Sequence, residues 1–207
     1  MDMFIGQFFD NYYIEQIYLN IMKIATWNIG GGFVYSEESS AYDVLDLDYF
    51  ISVLRDVIAD VICLQEVHYV SDCDNQAALI ANALGMRHVV FPHAPSHMLK
   101  ENQLSIAILS KFQLDEASLN LVSNPGVVAE YKGKIVDLNY EDDGFLCKGL
   151  YDDGFTQLVP HGGTDWHDQA IDKILVSKEW GLVPGSAKIL RDGKADHFLC
   201  VAEVELL

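Results

Sequence analysis

Seven polar residues stand beside or within apolar runs of this sequence, and their types could do chemistry together. Asn28 follows "IATW", and Glu66 follows "ICLQ". Asp137 and Asn139 follow "KIV". Asp172 sits inside "IDKIL", and Asp196 and His197 precede the closing run "FLCVAEVELL". A glutamate carboxylate and an asparagine amide oxygen are hard donors suited to Mg²⁺, an ion that accepts contacts of about 2.0–2.1 Å and keeps several waters or phosphate oxygens. A histidine among acids suits donation to a phosphate oxygen or transfer of a proton.

Taken singly, most of these residues have ordinary readings. An asparagine after a strand is usually a turn residue, and a glutamate ending one is usually solvated. "DLN" at 137–139 in isolation reads better as a turn. Asp172 is harder to set aside, because it interrupts an apolar run and a buried acid needs a partner. His197 is the natural one.

The elements that must position these residues can be read from the apolar pattern. "MKIATW" (22–27) reads as a buried strand, and "NIGGGFVYSEESS" as a glycine-rich, then polar, loop. Leu47, Phe50, Ile51, Leu54 and Ile58 recur at helical spacing, with Asp46 placed to cap the start. "DVICLQE" (60–66) is a second strand, ending in its carboxylate. "NQAALIANALG" (75–85) predicts a helix with Gly85 as its C-cap. "RHVVF", "LSIAILS" and "IDKILVS" predict further strands, the last of them central. In the final strand Phe198, Cys200, Ala202, Val204 and Leu206 share one face, and Leu199, Val201, Glu203 and Glu205 the other.

Strand and helix alternate early and strand dominates late, which predicts an α/β domain on mixed sheets. With 207 residues and half of them hydrophobic, one domain with a sizeable core is expected. No apolar run approaches a membrane span. Lys+Arg total 13 against 31 Asp+Glu, a formal charge of −18. That balance opposes tight non-specific nucleic-acid binding and suits divalent cations. The four cysteines lack CxxC spacing, so neither a zinc site nor a disulfide framework is expected; a reducing, cytoplasmic setting is. Residues 1–21 lack the features of a signal peptide. They are expected to be either a translated leader before a natural start at Met22 or an amphipathic helix packed on the domain of residues 22–207.

In chain order, "TWNIGGG", "LQEV", "AILSKF", "DLN", "IDKILVS" and "ADH" resemble the endonuclease/exonuclease/phosphatase superfamily. The resemblance covers most of residues 22–207. It implies a four-layer α/β sandwich of two packed mixed β-sheets flanked by helices. It also implies an enzyme, a Mg²⁺-dependent hydrolase of phosphoester bonds (phosphodiesterase, nuclease or phosphatase), with Mn²⁺ as a substitute metal. The substrate would be a small-molecule or nucleic-acid phosphoester, and no protein partner is implied. Carried over, the resemblance makes Asn28, Glu66 and Asp196 the metal-holding or metal-proximal residues. Asp137 and Asn139 would position and activate the attacking water. Asp172 would orient His197 on the scissile phosphate.

Two departures stand out. Val136 occupies a position where the superfamily has glycine. Only residues 113–134 separate "AILSKF" from "DLN", too few for the usual strand and crossover helix, so one strand–helix unit is expected to be missing. The rival reading is therefore a catalytically degenerate member that binds a phosphate ligand or a protein. Trp166 either stacks on substrate or packs on the core. His161 and His167 either line the pocket or belong to an ordinary loop, and His93 and His97 read as surface or loop residues.

Overall fold

The computed structural model describes residues 21–72, 74–114, 128–131, 134–137, 154–158, 162–191 and 194–207, with the backbone alone at 128–131, 134–137 and His93. The first strand, β1 (Ile21–Asn28), begins one residue before Met22, with Ile21 opposite Glu205. Residues 1–20 lie outside the described residues, so neither expectation for that segment is tested.

Asn28 leads into a short turn, Gly30–Gly32, and then a hairpin of β2 (Phe33–Ser36) and β3 (Ala41–Leu45). The sequence reading of a plain loop here is corrected. "FVYS" and "AYDVL" contain the β-branched and aromatic residues that suit strands, and the polar turn "EESS" joins them. Helix α1 (Leu47–Val57) starts as expected, with the Asp46 carboxylate accepting the Tyr49 N–H at 3.0 Å. Strand β4 (Val61–Ser71) is longer than expected. It runs past Glu66 and pairs near its end with β5 (Asp74–Asn75). Helix α2 (Gln76–Leu84) is capped by Asn75 and ends at Gly85, whose φ of 68° is the left-handed conformation that glycine adopts without strain. Strands β6 (Arg87–Pro95) and β7 (Gln103–Ser110) follow.

Strand β8 (Val128–Tyr131) pairs with β9 (Lys134–Asp137) in a two-stranded sheet. Residues 115–127 and 138–153 lie outside the described residues, and the region of the expected missing unit falls largely among them. Then come β10 (Thr156–Gln157), β11 (Leu175–Val176), β12 (Trp180–Leu182), β13 (Lys188–Leu190) and β14 (Leu199–Leu206). The "IDKILVS" strand shrinks to Leu175–Val176 and, among the described residues, pairs only with β10, outside the main sheet. Asp172 lies in irregular chain before it.

The main sheet runs β12–β14–β1–β4–β7–β6, with β13 also on β14 and β5 also on β4. Strand β1 is parallel to β4 and antiparallel to β14, so the sheet is mixed. Both faces are buried. Trp27, Leu64, Leu109, Leu199 and Val201 meet Phe50, Leu54 and Ile80 of the two helices on one face. Ile24, Cys63, Ile108, Cys200, Ala202 and Val204 meet Leu158, Ile174 and Val176 on the other. The two-faced reading of the last strand thus holds, as does the α/β class, with few helices. Cys63 and Cys200 are buried free thiols, as expected. Burial pushes both up, and Cys200, with the charge of Asp172 adding, reaches about 12, which leaves both thiols unreactive. Among the described residues no helix is long and apolar enough to cross a membrane.

Candidate active site

Strand direction gathers the polar residues at one edge of the main sheet. Asn28 ends β1 and lies opposite Gln65 of the parallel strand β4, which makes it a near neighbour of Glu66. Strand β14 runs the other way, with Cys200 opposite Thr26, so Asp196 and His197 enter it at the same edge. Sheet edges of this kind are where ligand sites form in α/β proteins.

Glu66 does not end its strand. The register of β4 against β7 shifts between Leu64 and Val67, and Glu66 has a φ of 52°. This bulge re-aims one side chain in a strand that continues on both sides. A left-handed glutamate is strained by roughly 1–3 kcal/mol, and such strain concentrates at functional sites.

The imidazole of His197 is fixed on several sides. Its Nδ1 is 2.9 Å from Asp172 Oδ2, the pairing expected from the sequence. Its backbone N–H donates to Asp196 Oδ1 at 3.0 Å, and its carbonyl accepts the Trp27 indole N–H at 2.9 Å. Its Nε2 faces the Asn28 amide nitrogen at 3.5 Å, the limit of a hydrogen bond, and so keeps capacity for a substrate oxygen. Burial alone would lower the pKa of His197. The hydrogen bond and charge of Asp172, aided by Asp196 and Glu66, override it and hold the imidazole above its ordinary range.

Asn28 is itself held. Its Oδ1 accepts the Gly30 N–H at 3.0 Å, which uses one lone pair and leaves the other for a ligand. Asp196 is held above the usual carboxylate range by burial and by the charge of Glu66, against the opposing pull of His197. The backbone of Asp137 ends β9, but its side chain and the whole of Asn139 lie outside the described residues. Of the residues chosen from sequence, the structure therefore brings Asn28, Glu66, Asp172, Asp196 and His197 together.

An aromatic group borders this cluster. Trp166, 57% exposed, donates its backbone N–H to the Asp196 carbonyl at 3.0 Å. Its ring lies 5.7 Å from Tyr42 and 6.5 Å from Tyr35 of the hairpin. Trp166 is thus not core. His167 is exposed, with Nδ1 3.4 Å from Asp165, His97 is exposed, and His161 lies outside the described residues. Sequence reasoning missed Tyr42, Trp27 and His68. His68 is buried, two positions beyond Glu66 on β4, and packed on the Gly30–Gly32 turn. The one available signal was the added histidine in "LQEVH".

The sequence model of the Endonuclease/Exonuclease/phosphatase family matches residues 25–131, just over half of the chain. The chain belongs to this family. Among solved structures, it is similar to an endonuclease/exonuclease/phosphatase from Beutenbergia cavernae DSM 12333, with TM-score 0.65 and 16% identity over 90% of this chain and 72% of that one. An endonuclease/exonuclease/phosphatase family protein from Leptotrichia buccalis C-1013-b gives TM-score 0.58 and 13% identity over 90% and 99%. A functionally unknown conserved protein from Enterococcus faecalis V583 gives 0.53 and 16% over 90% and 100%. At these identities the likeness is one of fold. No curated protein matches the sequence.

In this endonuclease/exonuclease/phosphatase chain, the donors at the sheet edge suit a sparsely held divalent cation. Among the described residues, no three His, Cys, Asp or Glu side chains form a complete cage. Glu66 and Asp196 supply two carboxylates whose charges oppose each other, and Asn28 adds an amide oxygen. One or two carboxylates, with waters and substrate oxygens completing the shell, is the arrangement Mg²⁺ accepts.

Proposed function

We propose that this family member hydrolyses phosphoester bonds with the help of a divalent cation, Mg²⁺ or Mn²⁺. The observation that carries the reading is the imidazole of His197, held at Nδ1 by Asp172 and open at Nε2 beside Asn28, at the edge where Glu66 and Asp196 oppose each other. An acid-oriented histidine next to an acid pair suits phosphate chemistry better than acyl transfer. Among the described residues no serine or cysteine lies within hydrogen-bond reach of His197 to act as its nucleophile.

Glu66 and Asp196, with the Asn28 amide oxygen, would hold the ion. When bound, Mg²⁺ would offset negative charge on the phosphoryl and leaving oxygens. His197 Nε2 hydrogen-bonds a non-bridging phosphate oxygen, and Asp172 keeps the ring in the orientation that allows it. Asp137 takes a proton from the attacking water, and Asn139 orients that water and the phosphate. The new P–O bond forms in line with the one that breaks, and the alcohol leaves without a covalent enzyme intermediate.

The test is pre-steady-state hydrolysis of excess aryl phosphodiester in ¹⁸O-labelled water, with Mg²⁺ and with EDTA. The reading expects one labelled oxygen in the phosphate product, no burst, and loss of turnover in EDTA. Turnover that survives EDTA, or a burst from a phosphorylated protein, would refute it.

A further inference from the structure

We infer that His68 is a positioning residue that fixes the side chain of Asn28 by clamping the Gly30–Gly32 turn. The inference deepens the proposed reaction and rests on that reading for its functional consequence, but its structural content stands separately.

Three contacts carry it. The imidazole packs on Gly31 so closely that a Cβ there would lie 2.4 Å from His68 Cε1, an approach only glycine permits. The His68 backbone N–H donates to Gln76 Oε1 at 2.9 Å, and Gln76 Nε2 donates to the Gly31 carbonyl at 2.7 Å. The turn is therefore gripped by the ring on one side and the glutamine on the other. Its first residue, Gly30, gives the N–H that holds Asn28 Oδ1. One connected path thus runs from His68 to the amide that faces His197.

The imidazole is itself held by the Ser96–Asn102 loop. Ser96 Oγ lies 3.0 Å from His68 Nε2 and already accepts the N–H groups of Met98 and Leu99, at 3.1 and 3.0 Å. With both lone pairs used, the hydroxyl donates to Nε2. A neutral ring then carries its proton on Nδ1, which is buried without a hydrogen-bond partner among the described residues. Leaving a buried donor unmet is destabilising, and an apolar ring of similar shape would avoid that cost. A histidine kept at this position is explained by what its Nε2 secures: the ring's seat on Gly31.

The experiment is amide hydrogen exchange of the full chain, read by NMR, for the wild type, His68→Leu and Gln76→Leu. Loss of the clamp should speed exchange at Gly30 about tenfold, the loss of one ordinary hydrogen bond, while Ala25 in the middle of β1 stays protected. Unchanged Gly30 exchange in both variants overturns the inference. If His68→Leu fails to fold, Gln76→Leu decides alone, since Gln76 is half-buried and releases the same carbonyl.

A double-mutant cycle on kcat/KM with Asn28→Ala supplies the functional arm. A positioning role predicts that His68→Leu costs little once Asn28 is gone. An equal cost in both backgrounds marks a merely structural residue and overturns the inference. Should the wild type show no turnover, the hydrolase reading fails, and Gly30 exchange still decides for or against the clamp.

Discussion

Asp172 Oδ2 lies 2.9 Å from His197 Nδ1, although Asp172 stands in irregular chain before β11 and His197 in an isolated bridge to Asp165 just before β14. The contact orients the imidazole and favours its protonated form. Asp172→Asn preserves the shape and removes the charge. Losing one preorganised donor to the transition-state charge costs about 10²–10³-fold, so kcat/KM should fall by roughly 10² or more, with a smaller change in KM. Steady-state kinetics on a chromogenic phosphodiester checks this.

The same contact predicts how stability depends on pH in the metal-free protein. The folded-state pKa of His197 is raised above its unfolded value, so the folded state binds the proton more tightly. The pair's contribution is complete below about pH 6.5 and is lost as pH rises through the raised value. Urea unfolding between pH 5 and 9 should show this decline, and Asp172→Asn should flatten it.

Asp196 carries a raised pKa because it is buried beside Glu66. A cation bound there competes with protons. Mg²⁺ should therefore raise Tm, and more so at pH 8 than at pH 5; at 100 times Kd the stabilisation is about 2.7 kcal/mol. Glu66→Gln should weaken the effect. Thermal melts with and without EDTA measure it.

Glu66 is left-handed in its bulge, so its side chain is kept at a backbone cost. Glu66→Gly should leave Tm unchanged or slightly higher while removing metal-dependent hydrolysis. A Tm fall of more than a few degrees would show that the bulge is held by the side chain and not by its neighbours.

Trp166 is 57% exposed beside Asp196. If it stacks on substrate, Trp166→Ala should raise KM for esters retaining a nucleobase by about tenfold or more, the size of one base–aromatic stack. Simple alkyl esters with the same leaving group should be unaffected.

Much of the frame was legible because burial imposes periodicity. The two helices, with the Asp46 and Gly85 caps, followed from the apolar spacing, and β14 from its alternation; Asn75, read as part of the second helix, caps it instead. The Asp172–His197 pair followed from the need of an acid in an apolar setting for a partner. Four features were not legible, each for a physical reason. The hairpin was hidden because its strands are short, β2 mostly half-buried and β3 mostly exposed. The Glu66 bulge depends on register against β7, which local sequence does not encode. The placement of Leu175–Val176 outside the main sheet was hidden because a short apolar run fits a central or a peripheral strand equally well. His68 carries no motif of its own; its role arises only from the close approach of Gly31.

The most direct measurement is the rate of bis(p-nitrophenyl) phosphate hydrolysis by the full chain with saturating Mg²⁺, in the wild type, Glu66→Gln and His197→Ala, each shown to be folded. The account predicts turnover that EDTA abolishes and that falls by about 10² or more in both variants. Turnover unchanged in both variants, or none in a folded wild type with Mg²⁺ or Mn²⁺, would contradict it.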